Sequence, residues 1–312
     1  MRRFPWDGGL PTVAALVAAL QFGLLPLLLS PGWVDGSLLV LLAALTEPLH
    51  YGLMHETIHG NLVSNEIWNR RTGRALGIAL GLPWETMRFG HLAHHAFNRH
   101  EFDRPEAFAP GRSRFGVACV YYFKLVIGNA LVYAIVPLLL LLPVSTTQRV
   151  LEYALRNPDA APLRKAAIRA FTGRPVRDAS RFDIVAILAL DALALWLWGR
   201  WWPVFAACVM ARWCVLSLLD NAPHYGMPLD SRLEARNTRL PRWAGWLVLN
   251  QNLHGAHHRN PGLRWTELPA AFAGSADTYD GSWIGALLRQ FRGPVRLERK
   301  AADPVFTLRR NR

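Results

Sequence analysis

The residues best suited to chemistry in this sequence are its histidines, which fall into a few short clusters. Eleven histidines occur among 312 residues, and none lies in 1–49, 101–223 or 259–312. A random scatter would not leave so much of the chain empty. Eight of them form three motifs, here called box 1, box 2 and box 3: His55-Glu56-Thr57-Ile58-His59, His91-Leu92-Ala93-His94-His95 and His254-Gly255-Ala256-His257-His258.

The spacing within each box decides which imidazoles can reach one metal ion. Residues i and i+4 lie on one face of a helix, so His55 and His59 can bind the same ion. In boxes 2 and 3 we expect the i and i+3 histidines to share a face, while the last histidine points in a neighbouring direction. One such box can serve two ions, so the three boxes together predict a dinuclear metal site.

The available ligand types narrow the identity of the metal. Structural zinc is usually closed by four ligands, often thiolates. The three cysteines (Cys119, Cys208 and Cys214) form no CxxC pair and lie in apolar stretches. Neither a disulfide framework nor a thiolate site is therefore expected. Many neutral imidazoles without obvious carboxylate ligands suit redox iron that keeps positions open for O2. Two iron ions are the expected cofactor, and this argument leaves copper open.

Box 1 also fits a different chemistry. Its string His-Glu-x-x-His matches the zinc metalloprotease motif, in which His55 and His59 would bind zinc and Glu56 would be the general base. A membrane protease would leave boxes 2 and 3 unexplained, so we rank it second. A non-catalytic membrane protein that binds or transports metal is a third interpretation.

Long apolar helices must position the boxes. Hydrophobic residues make up 52% of the chain, and the charge-free run 10–29 would span about 30 Å as a helix, the thickness of a bilayer's hydrocarbon core. We predict one all-α membrane domain over 1–312. Its transmembrane helices are expected at 10–29, 37–57, 183–199 and 203–220. Boxes 2 and 3 share a side of the membrane only if an even number of spans separates them, so 116–143 is expected to be re-entrant or in-plane.

The net charge of +13 fits the topology of a membrane protein better than binding to nucleic acid. Nucleic acid is therefore not an expected partner. Basic residues flank the apolar runs, and such residues mark cytoplasmic segments. The histidine boxes are therefore expected in a cytosolic cap, with membrane lipids as contacts. Arginine heavily outnumbers lysine, which points to a bacterial cytoplasmic (inner) membrane.

The three boxes, in this order beside paired apolar runs, resemble the integral-membrane fatty acid desaturase/hydroxylase superfamily over roughly residues 40–270. Box 2 is followed by Asn98 and by Asp103-Arg104-Pro105-Glu106, similar to the superfamily's Asn and Asp-Pro-Glu element, with Arg104 as an extra residue. Box 3 is preceded by Asn250-Gln251-Asn252 and followed by Pro261 and 265–269, as in the superfamily's third box.

This resemblance implies four membrane helices under a cytosolic cap that holds two irons, with O2 as co-substrate. It implies desaturation of a fatty acyl chain, and a carotenoid or alkyl-lipid hydroxylase or ketolase is the alternative. It adds His224 as a ninth ligand, because Asn221-Ala222-Pro223-His224 is similar to the acyl-CoA desaturases' Asn-x-x-x-His element, one residue shorter. The implied metal ligands are His55, His59, His91, His94, His95, His224, His254, His257 and His258. Candidates for orienting them are Asn221, Glu56, Asp103, Glu106 and Asp220.

Two histidines outside the proposed ligands and the source of electrons are still to be assigned. His50 and His100 match no ligand of the superfamily, and we expect His50 to pack internally or to support a ligand and His100 to lie in an exposed loop. The sequence has no haem segment, no CxxC pair and no Gly-rich dinucleotide fingerprint. Electrons must therefore come from a separate donor of the ferredoxin, rubredoxin or cytochrome type with its reductase. Arginines of the cap would attract an acidic partner.

Overall fold

A computed structural model describes residues 33–109, 111–299 and 306–308. The first predicted span, 10–29, lies outside the described residues. The described part is mostly helical, which confirms the expected fold class, and it also contains a small sheet that the sequence analysis did not predict. The three cysteines are free, as expected.

The α-helices are named α1 to α13 in chain order. They are Trp33–His59 (α1), Glu66–Leu80 (α2), Trp84–Phe97 (α3), Arg114–Phe123 (α4), Asn129–Ile135 (α5), Val144–Ala154 (α6), Ala161–Thr172 (α7), Arg174–Trp198 (α8), Trp202–Asn221 (α9), Arg242–Leu247 (α10), His254–Arg259 (α11), Leu268–Ala273 (α12) and Trp283–Arg289 (α13). The strands are Ala107–Phe108 (β1), Val295–Arg299 (β2) and Phe306–Leu308 (β3), in the order β1-β2-β3, with β1 parallel and β3 antiparallel to β2.

The described residues divide into two compact units. Unit 1 contains the residues up to Gly90 together with Ala130–Leu216. Unit 2 contains His91–Asn129 and the chain from Ser217 onward. That the whole chain forms one domain stays a prediction.

Two helical stretches of unit 1 are long and apolar enough to cross a membrane. They are Gly36–His59, which overlaps the span expected at 37–57, and the 48 residues of Arg174–Asn221, which end just inside unit 2. A third candidate arises only if Arg114–Gly128 and Ala130–Leu141, which are separated by a break, are counted as one span. The protein is therefore an integral membrane protein with two to three candidate spans in the described residues. A total of four spans stays a prediction.

Two contacts on α2 show that the chain turns back between α8 and α9. Arg74 donates hydrogen bonds of 2.7 and 2.9 Å to the Asp183 carboxylate, whereas the Trp213 indole donates one of 3.2 Å to the Leu80 carbonyl. Arg74 and Leu80 are about 9 Å apart along α2, but Asp183 and Trp213 would be about 45 Å apart in one straight helix. The chain therefore reverses at the turn Gly199–Trp201, between the two runs 183–199 and 203–220, and that each run is a separate span stays a prediction.

A buried polar group joins α1 to α9 inside unit 1. The Arg212 guanidinium donates to the Glu47 carboxylate and contacts Nδ1 of His50, both at 2.9 Å. The second nitrogen of His50 lies 3.0 Å from the Leu76 carbonyl oxygen. His50 is thus a buried packing residue, as expected. Glu47 and Arg212 thus pair their charges. This pairing offsets the cost of an isolated charge in a membrane span.

Local signals in the sequence set the ends of α2. The Asn65 side chain accepts a hydrogen bond of 3.1 Å from the Trp68 backbone N–H, which caps the first turn. Gly81 ends the helix in the left-handed conformation, with φ of 74°, a position that favours glycine because it has no Cβ. The capped helix then packs on α1 and α8.

Candidate metal centre

Box 2 occupies the last two turns of α3, so a regular helix sets the directions of its three imidazoles. The Nε2 atoms of His91 and His95 lie 3.0 Å apart. His94 points elsewhere, and its Nε2 lies 3.0 Å from Nε2 of His224. Box 2 is therefore divided between two groups of histidines.

Box 3 forms the short helix α11, which adjacent backbone holds in place. The Asn237 side chain accepts a hydrogen bond of 2.9 Å from the Ala256 N–H, and the Gly255 N–H donates to the Arg236 carbonyl at 3.1 Å. His254, His257 and His258 are all buried. A six-residue helix has little stability of its own, so these contacts keep the box in its conformation.

One group of histidines lies entirely in unit 2 and contains four imidazoles, which we call the four-histidine set. Their ligand nitrogens all lie within 4.8 Å of one another. The Nε2 atoms of His254 and His258 are 3.2 Å apart. The members of the four-histidine set are His94, His224, His254 and His258.

The second group of unit 2 contains the other histidines of boxes 2 and 3, namely His91, His95 and His257, which we call the three-histidine set. Nε2 of His257 lies 3.1 Å from Nε2 of His95, and the ligand nitrogens of all three lie within 4.8 Å of one another. Each box thus contributes its i and i+4 histidines to one set and its i+3 histidine to the other.

This division corrects one expectation from the sequence. We expected the i and i+3 histidines to share a set, but His91 pairs with His95 and His254 with His258. In an α-helix i+4 is rotated about 40° from i, and i+3 about 60° in the opposite sense. The i+4 imidazole is therefore better aligned with the first, and the i+3 imidazole is turned toward another group. That each box serves two groups is as expected.

The histidine nitrogens of the two sets lie close enough together to bind metal ions. Two nitrogens bound to one ion at about 2.1 Å can lie no more than about 4.2 Å apart, and the Nε2 pairs at 3.0–3.2 Å satisfy this limit. Burial, followed by the neighbouring histidines, lowers the pKa of His224 and of His258 well below 6.5. Both imidazoles are therefore neutral, the form that binds metals.

Asp103, which the sequence suggested as a residue that orients a ligand, contacts His94, and its orienting role stays a prediction. Its carboxylate lies 2.8 Å from Nδ1 of His94, which leaves Nε2 directed at the four-histidine set. Burial alone would lower the pKa of His94, but the charge and hydrogen bond of Asp103, with a smaller effect of Asp220, raise it. Such an outer carboxylate fixes the ring and makes it a stronger ligand.

The other candidates for orienting ligands have different contacts. Asn221 donates a hydrogen bond of 2.9 Å to the Gln290 side chain. Glu106 accepts a hydrogen bond of 2.8 Å from Arg99. Glu56 lies 3.6 Å from Nδ1 of the adjacent His55, which is longer than a hydrogen bond. For these three residues, orientation of a ligand stays a prediction.

Box 1 ends α1 in unit 1. The rings of His55 and His59 lie 4.8 Å apart, as expected for an i, i+4 pair. The Thr57 hydroxyl between them accepts a hydrogen bond of 3.1 Å from the Trp84 indole, and the Thr57 carbonyl accepts one of 2.8 Å from Asn69. The end of α1 is thus fixed by residues of α2 and of the start of α3.

Sequence reasoning noted Asn98 as part of the resemblance but missed Arg99 and the contacts that both residues make around His224. Arg99 is buried and donates hydrogen bonds to three carbonyl groups around this histidine, and Asn98 donates to two more. The signal for Arg99 in the sequence was its position next to Asn98, shortly after box 2. His100, the next residue, is exposed as expected.

Comparison with known families agrees with this geometry. A sequence model described as "Fatty acid desaturase" matches residues 11–285, which is most of the chain. No curated protein matches the chain closely enough to count as a relative. The family match and the histidine sets identify a membrane oxidoreductase of the desaturase type with a candidate metal centre. The chain therefore belongs to the fatty acid desaturase family.

Proposed function

We propose that this protein is an O2-dependent di-iron enzyme that introduces a double bond into a fatty acyl chain. The observation that carries the proposal is the division of boxes 2 and 3 between two sets of histidines within unit 2. Two sets of imidazoles suit two redox metal ions, and the sequence model that matches the chain is described as "Fatty acid desaturase".

The proposed ligands come from the two sets and from box 1. The four-histidine set would hold one iron, and the three-histidine set would contribute to the second. His55 and His59 are assigned to the metal centre from their i, i+4 spacing and from the family's use of three boxes. Asp103 would fix His94, and burial would keep His224 and His258 neutral.

The irons, when bound, supply the redox chemistry that activates O2. The overall reaction removes two hydrogens from adjacent carbons, takes two electrons and two protons from the donor system, and reduces O2 to two waters. The chain's own residues hold the metals and exclude water, because most of the ligating histidines are buried. Since the sequence has no haem segment, no CxxC pair and no Gly-rich dinucleotide fingerprint, we propose a separate donor of the ferredoxin, rubredoxin or cytochrome type.

The alternatives explain less of the geometry. A zinc protease that used box 1 would need a third ligand and would leave the four-histidine set without a role. A hydroxylase or ketolase of a carotenoid or alkyl lipid would use the same histidines, so the product must separate it from a desaturase. We place the centre on the cytosolic side of a bacterial inner membrane, on the basis of the basic residues that flank the apolar runs.

The decisive experiment is lipid analysis of cells that express the chain together with a ferredoxin and its reductase. We expect a new carbon–carbon double bond in an acyl chain. A new hydroxyl or keto group would favour the alternative within the family. Metal analysis of the purified protein should give about two irons per chain, as in other two-metal sites.

The matched control replaces His100, the exposed histidine after box 2, by alanine and should leave the product unchanged. His94→Ala or His257→Ala should abolish it. One zinc and no iron, together with unchanged lipids, would contradict the proposal and favour the protease. Two bound metals without any O2 consumption would favour a non-catalytic metal-binding protein.

A further inference from the structure

Arg99 lies two residues after the end of α3 and is 3% exposed. We propose that Arg99 is a positioning residue that holds His224 in the four-histidine set, so that one of the two metals depends on it. This inference rests on the proposed function. It concerns a residue that contacts no metal and that the three boxes do not include.

The contacts of the guanidinium carry the proposal. All three nitrogens of Arg99 donate to unit 2. Nη1 donates to the His224 carbonyl at 3.1 Å, Nε to the Pro228 carbonyl at 3.1 Å, and Nη2 to the Met227 carbonyl at 2.8 Å. Nη2 also donates to the Glu106 carboxylate at 2.8 Å. One side chain therefore fixes the backbone at His224 and over the following turn.

Glu106 completes this attachment. Its Oε1 accepts from Arg99 and also from the Gly226 N–H, at 3.3 Å. Both partners of the ion pair have side chains only 1% exposed. A buried charge is tolerated only when it is paired and hydrogen-bonded. The pair therefore requires the turn 224–228 to stay in place.

Asn98 holds the other end of the same loop. Its side chain donates to the carbonyls of Arg232 and Glu234 at 2.8 and 3.1 Å. The Glu234 carbonyl oxygen in turn lies 3.4 Å from Nδ1 of His224. Two consecutive residues after box 2 thus hold both the backbone of His224 and the group that its outer nitrogen faces.

The backbone of Arg99 is consistent with a specialised role. Its φ of 71° lies in the left-handed region, which residues other than glycine rarely adopt. Such strain persists only where surrounding contacts impose it, and here the side-chain contacts of Arg99 do so. Arginine suits this place better than lysine because its planar group presents five donors in a fixed geometry.

The test compares two variants of the full-length protein with the native chain. Arg99→Lys keeps the charge beside Glu106 but offers one nitrogen in place of three, and Arg99→Ala removes all the contacts. The iron content is measured during titration with a chelator, and folding is followed by thermal unfolding in detergent. We expect one of the two irons to bind about 10- to 100-fold more weakly, as for other outer partners of ligands.

Three control proteins define the result. Arg112→Ala removes an exposed arginine of unit 2 and should retain both irons. The chelator profile of Arg99→Lys should match that of His224→Ala, which lacks the ligand itself, and should differ from that of His257→Ala, which disturbs the other set.

Several outcomes would overturn the proposal. A folded Arg99→Lys protein that holds both irons as tightly as the native chain would do so. Equal loss of both irons, or failure of both Arg99 variants to fold, would assign Arg99 to the general stability of unit 2 instead. If the native chain itself binds no pair of metals, the proposed function fails, and that result is visible before any variant is compared.

Discussion

Boxes 2 and 3 have the same spacing of histidines but are held in place differently. Box 2 belongs to a 14-residue helix, whereas box 3 is nearly the whole of a six-residue helix. The second position is Leu92 in box 2 and Gly255 in box 3. A Cβ at Gly255 would lie 2.5 Å from the Ala235 carbonyl oxygen. The helix therefore suffices to direct the ligands of box 2, and box 3 depends on close contact with neighbouring backbone.

The strongest test of whether boxes 2 and 3 have equivalent roles removes the i+3 histidine from each box. His94→Ala takes a ligand from the four-histidine set and His257→Ala takes one from the three-histidine set. We expect each variant to lose product formation to below detection and to bind only one metal firmly. Metal analysis and lipid analysis of the two proteins measure this. If either variant keeps both metals and its activity, that box does not serve two ions.

A smaller effect is expected at the carboxylate that supports box 2. Asp103→Asn keeps the shape of the side chain but removes the charge that holds His94. We expect metal binding by the four-histidine set to weaken about 10- to 100-fold, measured by chelator titration. The matched change Asp277→Asn alters an aspartate of unit 2 that pairs with Arg259 and should leave metal binding unchanged. Equal affinities in both variants would contradict the role of Asp103.

The dependence of box 3 on close packing can be tested at Gly255. Gly255→Ala would place a methyl group against the Ala235 carbonyl and the Asn237 side chain. We expect this to lower the free energy of unfolding by about 1–3 kcal/mol, the usual cost of overpacking. Thermal unfolding of the metal-free protein measures the change. Gly262→Ala, where no atom lies within 4 Å of the added Cβ, should change it by less than about 0.5 kcal/mol.

The smallest effect is expected just beyond box 2. His100→Ala removes an exposed histidine that belongs to neither set. We expect both metals, the product and the unfolding free energy to stay unchanged within about 0.5 kcal/mol. Loss of a metal in this variant would show that box 2 extends further than the spacing indicates.

The sequence predicted most of the site, because the spacing of histidines on a helix is a local property. It also indicated a turn near Gly199–Trp201, where the chain reverses, because this turn separates two apolar runs. It failed at the choice between i+3 and i+4 partners, since both lie near one face of a helix. It missed Arg99 because the carbonyls that this residue binds lie more than 120 positions away in the chain.

The buried group of Glu47, His50 and Arg212 has a consequence for how the protein is made. Glu47 lies in α1 and Arg212 in α9, inside two stretches that are candidates to cross the membrane. Each charge alone would cost about 2.5–3.5 kcal/mol at the centre of an isolated inserting helix. Glu47 precedes Arg212 by 165 positions in the chain, so α1 is synthesised well before its partner. During biogenesis α1 must therefore stay sheltered, or keep Glu47 protonated, until α9 arrives and completes the pair.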